Sequence, residues 1–342
     1  ELSAIQHVPG PSGLDIVLTT LATAGASGDS LSSVRFALET FHKVVAVHAG
    51  DRSDLDLILD SMGLCGDNKL EISRELAFRG NSGIWGVQAR LRTTLGVVVP
   101  SKSDPDRLDI AIVGGLVGFR TLRPGVSWRM FRFDGFTDDG QVETNSKRES
   151  LDDTTRIGDV SLLRRFCSPN MPEITQVIKD KFREYHLPKG AVGNTGVFDC
   201  FFGDIVRGLQ RYASDDDSHG QFSSTITLPV ETMNFDVIIH KDIKVTGVPK
   251  VLAYGRPDGV PNFATDQTEA NLLPLNERCA EIAGRPMAVS IASVPAYTDL
   301  VQSVFASLGH TPAEFRGYRA VIKHPPLNSS IMLRWDLEAR PL

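Results

Sequence analysis

Long apolar runs, paired cysteines and blocks of one charge are all missing from these 342 residues. Nothing approaches the roughly 20 consecutive apolar residues that a bilayer-spanning helix needs, so no membrane span is expected. The opening LSAIQHVPGPSG carries neither a basic stretch nor an apolar core, and a secretory leader is not expected either. Four cysteines, Cys65, Cys167, Cys200 and Cys279, stand far apart without a CxxC pair. That is the usage of a reducing, intracellular compartment rather than of a disulfide framework. No basic arm is present and the net charge is −6, which argues against a surface devoted to phosphate backbones.

Motifs are scarce as well. The chain has no Gly-x-Ser-x-Gly elbow, no P-loop and no internal repeat of solenoid length. No two histidines have helix-face or knuckle spacing for zinc, and His240 and His324 read as isolated. No cofactor is implied.

Three fragments come close to chemistry. LDIAIVGGLVG at 108–118 runs a strand into glycines, as a dinucleotide-binding turn does. The first glycine of that fingerprint falls on Val113, however, and Arg123-Pro124-Gly125 arrives before a helix could form. Without a helix N-terminus the amides that hold a phosphate are absent. The reading is a bend or bulge at Gly114 and Gly115, with 123–125 turning the chain into the next strand. His48-Ala-Gly-Asp51-Arg-Ser-Asp54 with Gly80-Asn81 further on is a fragment of a two-metal phosphoesterase pattern. Asp51, Asp54 and Asn81 are its candidate metal residues, although several ligands of a two-metal site are lacking. Gly80-Asn81-Ser82-Gly83 also echoes a protease nucleophile loop, but His48 stands too close in sequence to serve as base, and a simple turn is expected.

What is present is an arginine-aromatic texture. Trp128-Arg129-Met-Phe-Arg132-Phe, Phe315-Arg316-Gly-Tyr318-Arg319 and Leu333-Arg334-Trp each alternate guanidinium groups with rings. Such strands suit protein–protein hot spots or the stacking of single-stranded bases. Trp128, Arg129, Arg132, Arg316, Tyr318, Arg319 and Arg334 are therefore the interface candidates.

Periodicity predicts an amphipathic helix over 29–47, capped by Asp29 or Ser30, and another from Ser53 to Gly63. Strands follow at 86–99, 108–113 and 126–133. The stripe Ile174, Val177, Ile178, Lys181, Phe182, Tyr185 behind Asn170-Met-Pro-Glu173 predicts a helix, and Val197 to Tyr212 predicts a second. Further strands are expected at 222–230, 235–240, 243–254 and near 287–292, with a long ordered loop over 255–276. A helix over 297–308 and strands at YRAVIK and SIMLRWDL complete the chain.

Elements come in clumps rather than in βαβ alternation. The fold class expected is α+β, with mixed, mainly antiparallel sheets and clustered amphipathic helices. The polar stretch 138–156 is read as a linker or exposed loop between an N-terminal region, 1–137, and a C-terminal region, 157–342.

With no constellation forming an active site, the sequence reads as a non-enzymatic structural subunit that assembles with copies of itself. A shell, coat or matrix protein, viral ones included, would fit. The alternatives are a metal-dependent phosphoesterase-like hydrolase and an RNA-associated protein using the arginine-aromatic strands.

Overall fold

Alternation sets the frame. In a computed structural model, Val87, Ala89 and Leu91 turn inward from one strand while Arg90 faces solvent. The strand is then buried on both faces from Thr93 onward, as a strand covered by two layers must be. The structure describes residues 11–48, 69–104, 106–133, 135–136, 142–143, 148–152, 156–157, 160–179, 182–187, 189, 191–212, 218–255, 268–284 and 286–338. Contacts divide the chain into two units, 1–76 and 77–342.

The first unit contains helices α1, Pro11–Thr23, and α2, Gly28–His48. The chain reverses at Gly25, whose φ of 92° is the left-handed conformation. Ser27 caps α2 by accepting the Ser30 amide at 3.2 Å, a few residues before the expected Asp29 or Ser30. Arg35 pairs with Asp15 across the hairpin at 3.5 Å. Helix α3, Lys69–Trp85, runs through the division between the units. The expected turn at 80–83 is thus a helix, which ends at Gly86. The helix predicted from Ser53 lies outside the described residues.

The second unit is rich in sheet. Its main strands are β1, Val87–Pro100; β2, Arg107–Thr121; β3, Trp128–Phe133; β4, Thr175–Lys179; β5, Phe182–Leu187; and β6, Phe198–Gln210. They continue with β7, His219–Ile226; β8, Val230–His240; β9, Val245–Gly255; β10, Phe315–Lys323; and β11, Ser329–Leu337. Between β9 and β10 lies helix α4, Tyr297–Leu308.

A nine-stranded sheet runs in the order 280–281, β10, β8, β1, β2, β6, 160–162, 156–157, with 148–150 also on β6. Among the described strand pairs of this sheet β1 and β8 run parallel and the others antiparallel. A four-stranded antiparallel sheet, β7-β11-β9-(272–273), covers one face. There Phe222, Ile226, Leu333 and Trp335 meet Val98, Phe235, Val237 and Ile322. On the other face lies α4. Its Tyr297, Leu300, Val301, Val304, Phe305 and Leu308 fall at i, i+3, i+4, i+7, i+8 and i+11 and pack on Leu95, Val97, Val113 and Ile238. A three-stranded sheet, β3-β5-β4, closes a third cluster around Leu116, Phe119, Tyr185 and Phe202. The mixed, mostly antiparallel α+β class is therefore present, with more strand than helix.

Two predicted helices are strands. The stripe from Ile174 to Tyr185 is the hairpin β4–β5, in which Tyr185 and Leu187 point inward and Lys179 pairs with Phe182. The stripe from Val197 to Tyr212 is β6, which is buried on both faces. A two-sided strand is continuously apolar and so mimics a helical stripe. Phe, Val and Ile, with Gly203 and Gly208 inside, favoured the strand. The strand expected at 287–292 is irregular, with a single bridge between Ile291 and Val294.

The glycines of 114–118 lie in strand β2, with no helix following. The expected bulge is displaced, because β2 passes Gly114 and Gly115 in register with β1. Gly115 is needed for close approach: a Cβ there would collide with the Phe201 ring and the Thr93 hydroxyl. The bulge against β6 comes at Gly118, with φ 62°, whose amide donates to the Asp199 carboxylate at 2.7 Å. After the turn at 123–125 the chain enters β3, as expected.

Candidate functional site

A buried charge sits where α4 crosses the large sheet. Asp236, on β8, is fully buried. Arg319 of the neighbouring β10 donates to it through Nε at 2.8 Å and Nη2 at 2.6 Å. The Tyr297 hydroxyl, from the first turn of α4, donates at 2.7 Å, and Asn234 Nδ2 at 2.9 Å. Both carboxylate oxygens each accept two bonds, so the charge is paired and hydrogen-bonded as burial requires. Burial pushes the Tyr297 hydroxyl well above its ordinary pKa, and the Asp236 charge adds to the effect. With its oxygens saturated and its partners locked, this group clamps helix to sheet and offers no mobile proton. An open groove of about 460 Å³ adjoins Arg319, lined in part by Glu277, Arg278, Glu281, Ser290 and Val321.

The sequence-predicted interface residues are dispersed over three sheets. Trp128 stacks edge-on with Trp85 at 5.6 Å between ring centres. Arg129 donates to Glu184 at 2.8 Å, and Glu184 also meets His186 at 2.9 Å. Burial works against the Glu184 charge, but the bonds from Arg129 and His186 outweigh it and leave the carboxyl below its ordinary value. The side chain of Arg132 lies outside those described. Arg316 is exposed on β10, Tyr318 is buried beneath it, and Arg334 is half-buried on β11. Arg129 and Arg319 are thus turned toward carboxylates of their own chain. Asp51 and Asp54 lie outside the described residues, and Asn81 is on α3.

Apolar exposure is concentrated elsewhere. On α1 and α2, Ile16 is 69% exposed and Phe36 71%, with Val17, Leu21 and Val34 also exposed. In the second unit Ile84 and Trp85, at the end of α3, are exposed beside Trp128.

Among the described residues, metal donors converge at one place, and they are not ones that the sequence patterns singled out. His240 ends β8, His310 follows the left-handed Gly309 that closes α4, and Glu314 ends the short turn leading into β10. One donor atom from each lies within 4.8 Å of the others. The His240 and His310 rings meet edge-on at 4.8 Å, and both contact Phe315, which stacks on Phe305. His240 is therefore not isolated. Its imidazole is held below the ordinary value by burial first, with His310 adding to that and the Asp242 and Glu314 charges opposing it. Glu314 accepts the Thr311 amide at 2.8 Å and the Thr311 hydroxyl at 3.1 Å, and these bonds hold its carboxyl down to about 2. The capping-box spacing of Thr311 to Glu314 is legible in the sequence. The approach of residue 240 to residue 310 follows only from the pairing of β8 with β10. No family model matches the chain, and no curated protein matches it either.

Proposed function

We propose that this protein is a non-enzymatic structural subunit that assembles with copies of itself, of the shell, coat or matrix type, viral ones included. The observation that carries this reading is the helical hairpin of the first unit. Helices α1 and α2 bury Leu18 but leave Ile16, Val17, Leu21, Val34 and Phe36 open. Helices of 13 and 21 residues with apolar side chains on more than one face are marginal as a free pair in water. Two such hairpins from two copies make a four-helix arrangement, the smallest that covers both exposed faces.

Other features agree. The described arginines of the arginine-aromatic strands are partly bound up with Glu184 and Asp236, which does not favour base stacking. Asn81 on a helix does not favour the two-metal hydrolase. Cys167, Cys200 and Cys279 are free thiols, in keeping with a reducing compartment.

The test is the Ile16→Glu, Phe36→Glu double variant, measured by size-exclusion chromatography with light scattering. The wild type is expected as a multiple of the chain mass and the variant as a smaller species with an unchanged circular dichroism spectrum. An identical mass for both removes the hairpin from the assembly. Salt-sensitive binding of single-stranded RNA by the wild type would favour the RNA-associated reading instead.

A further inference from the structure

We propose that His240, His310 and Glu314 form a binding site for one divalent transition-metal ion of the zinc class, which ties the α4–β10 connection to the end of β8. The inference does not rest on the assembly reading.

The donor set is the first reason. Two imidazoles and a carboxylate are the borderline donors that zinc and its neighbours prefer, and they come from three separate elements. A tetrahedral ion with bonds near 2.0–2.1 Å sets its ligands about 3.4 Å apart. The present spread of up to 4.8 Å closes by small rotations of His310 and Glu314, whose side chains are 18% and 30% exposed.

The second reason is an unpartnered atom. His240 is only 4% exposed, yet its Nε2 has no hydrogen-bond partner. It faces Glu314 Oε1 at 3.7 Å, beyond hydrogen-bond range. Leaving a buried ring nitrogen unmet costs about 1–3 kcal/mol, and a metal ion between Nε2 and Oε1 would satisfy both atoms. Glu314 is prepared for this, because Thr311 occupies its Oε2 and leaves Oε1 turned to His240.

The third reason lies behind the ring. A histidine that ligates through Nε2 must carry its proton on Nδ1 and donate it to an acceptor. Asp242 stands close enough to become one, its exposed side chain placing Oδ2 at 3.5 Å from Nδ1, a distance that a small rotation shortens to a hydrogen bond. Its amide also reaches Nδ1 at 3.3 Å, so the metal-free ring can take the other tautomer. Binding then switches the Nδ1 partner from the Asp242 amide to its carboxylate. Three protein ligands leave a fourth position on the exposed side for water or a donor from outside the chain.

The experiment uses the full chain after treatment with a chelator. Zinc binding is followed by calorimetry and elemental analysis, and cobalt binding by the intensity of its visible absorption. One equivalent of zinc and the strong absorption of four-coordinate cobalt are expected. Affinity should fall at least tenfold in His310→Ala and Glu314→Gln and stay unchanged in His219→Ala. Asp242→Asn should weaken binding by about 10–100-fold while leaving the stoichiometry at one. All four altered positions have exposed or half-buried side chains, so circular dichroism checks that each variant folds. Absence of stoichiometric binding overturns the proposal, as does binding that survives in His310→Ala; in that case the three residues form only a polar cluster.

Discussion

Replacing Arg319 with methionine leaves Asp236 fully buried without its counter-charge, and the structure sets the size of the effect. Removing one member of a buried ion pair costs about 3–5 kcal/mol, because the other charge stays desolvated. Asp236 keeps the donors of Tyr297 and Asn234, at 2.7 and 2.9 Å, which places Arg319→Met near the lower end, at about 3 kcal/mol. For a unit of this size that lowers the thermal midpoint by about 6–12 °C. Removing the charge as well, in Arg319→Met with Asp236→Asn, takes away the desolvated carboxylate. The double variant should therefore lose less than the sum of the single changes by more than about 1 kcal/mol. Trp85, Trp128 and Trp335 all lie in the second unit, so intrinsic fluorescence during urea unfolding reports on it directly. An Arg319→Met variant within about 0.5 kcal/mol of wild type would refute the reasoning, as would strictly additive single changes.

Tyr297→Phe deletes one hydrogen bond to a charged acceptor and should cost about 1.5–3 kcal/mol in the same assay. The raised folded pKa of Tyr297 means its contribution is complete below the unfolded value near 10 and is lost as pH rises toward the folded value. Wild-type stability should fall above about pH 10, more steeply than that of Tyr297→Phe, when unfolding is measured across that range. Glu184 runs the other way: its lowered pKa gives stability that is present above the ordinary carboxylate value near 4.5 and lost as pH falls through the folded value. Stability in mild acid should thus depend less on pH in Glu184→Gln. Gly115→Ala, which sets a methyl against Phe201 and Thr93, should cost about 1–3 kcal/mol by denaturant midpoint, with no comparable loss for alanine at the open Gly80.

Legibility in the sequence followed the number of covered faces. Strands with one wet side, such as β11 with Arg334 and Asp336 outward, alternate plainly and are legible in the sequence. So is α4, whose single apolar stripe ends at Gly309. Strand β6 reads as a helix in sequence because both its faces are covered, and its Phe198, Phe201, Ile205 and Leu209 fall at helical spacing by coincidence. The hairpin β4–β5 was hidden by a cap-like Asn170-Met-Pro-Glu173, although the inward alternation of Tyr185 and Leu187 was available. Of the interface candidates, Arg129 and Arg319 could not be assigned from sequence, because their partners Glu184 and Asp236 stand 55 and 83 residues away. A separation of 70 residues likewise conceals His240 from His310. A local motif search finds ligands that share a helix or loop; it does not find those that strand pairing brings together.

The proposed self-association uses the apolar surface of α1 and α2. Sedimentation of the full chain over a hundredfold range of concentration tests that most directly. A mass that is a multiple of 37.3 kDa, falling toward one chain on dilution or on introducing Ile16→Glu and Phe36→Glu, is the result expected. A single chain mass at the highest concentration would rule out this self-association.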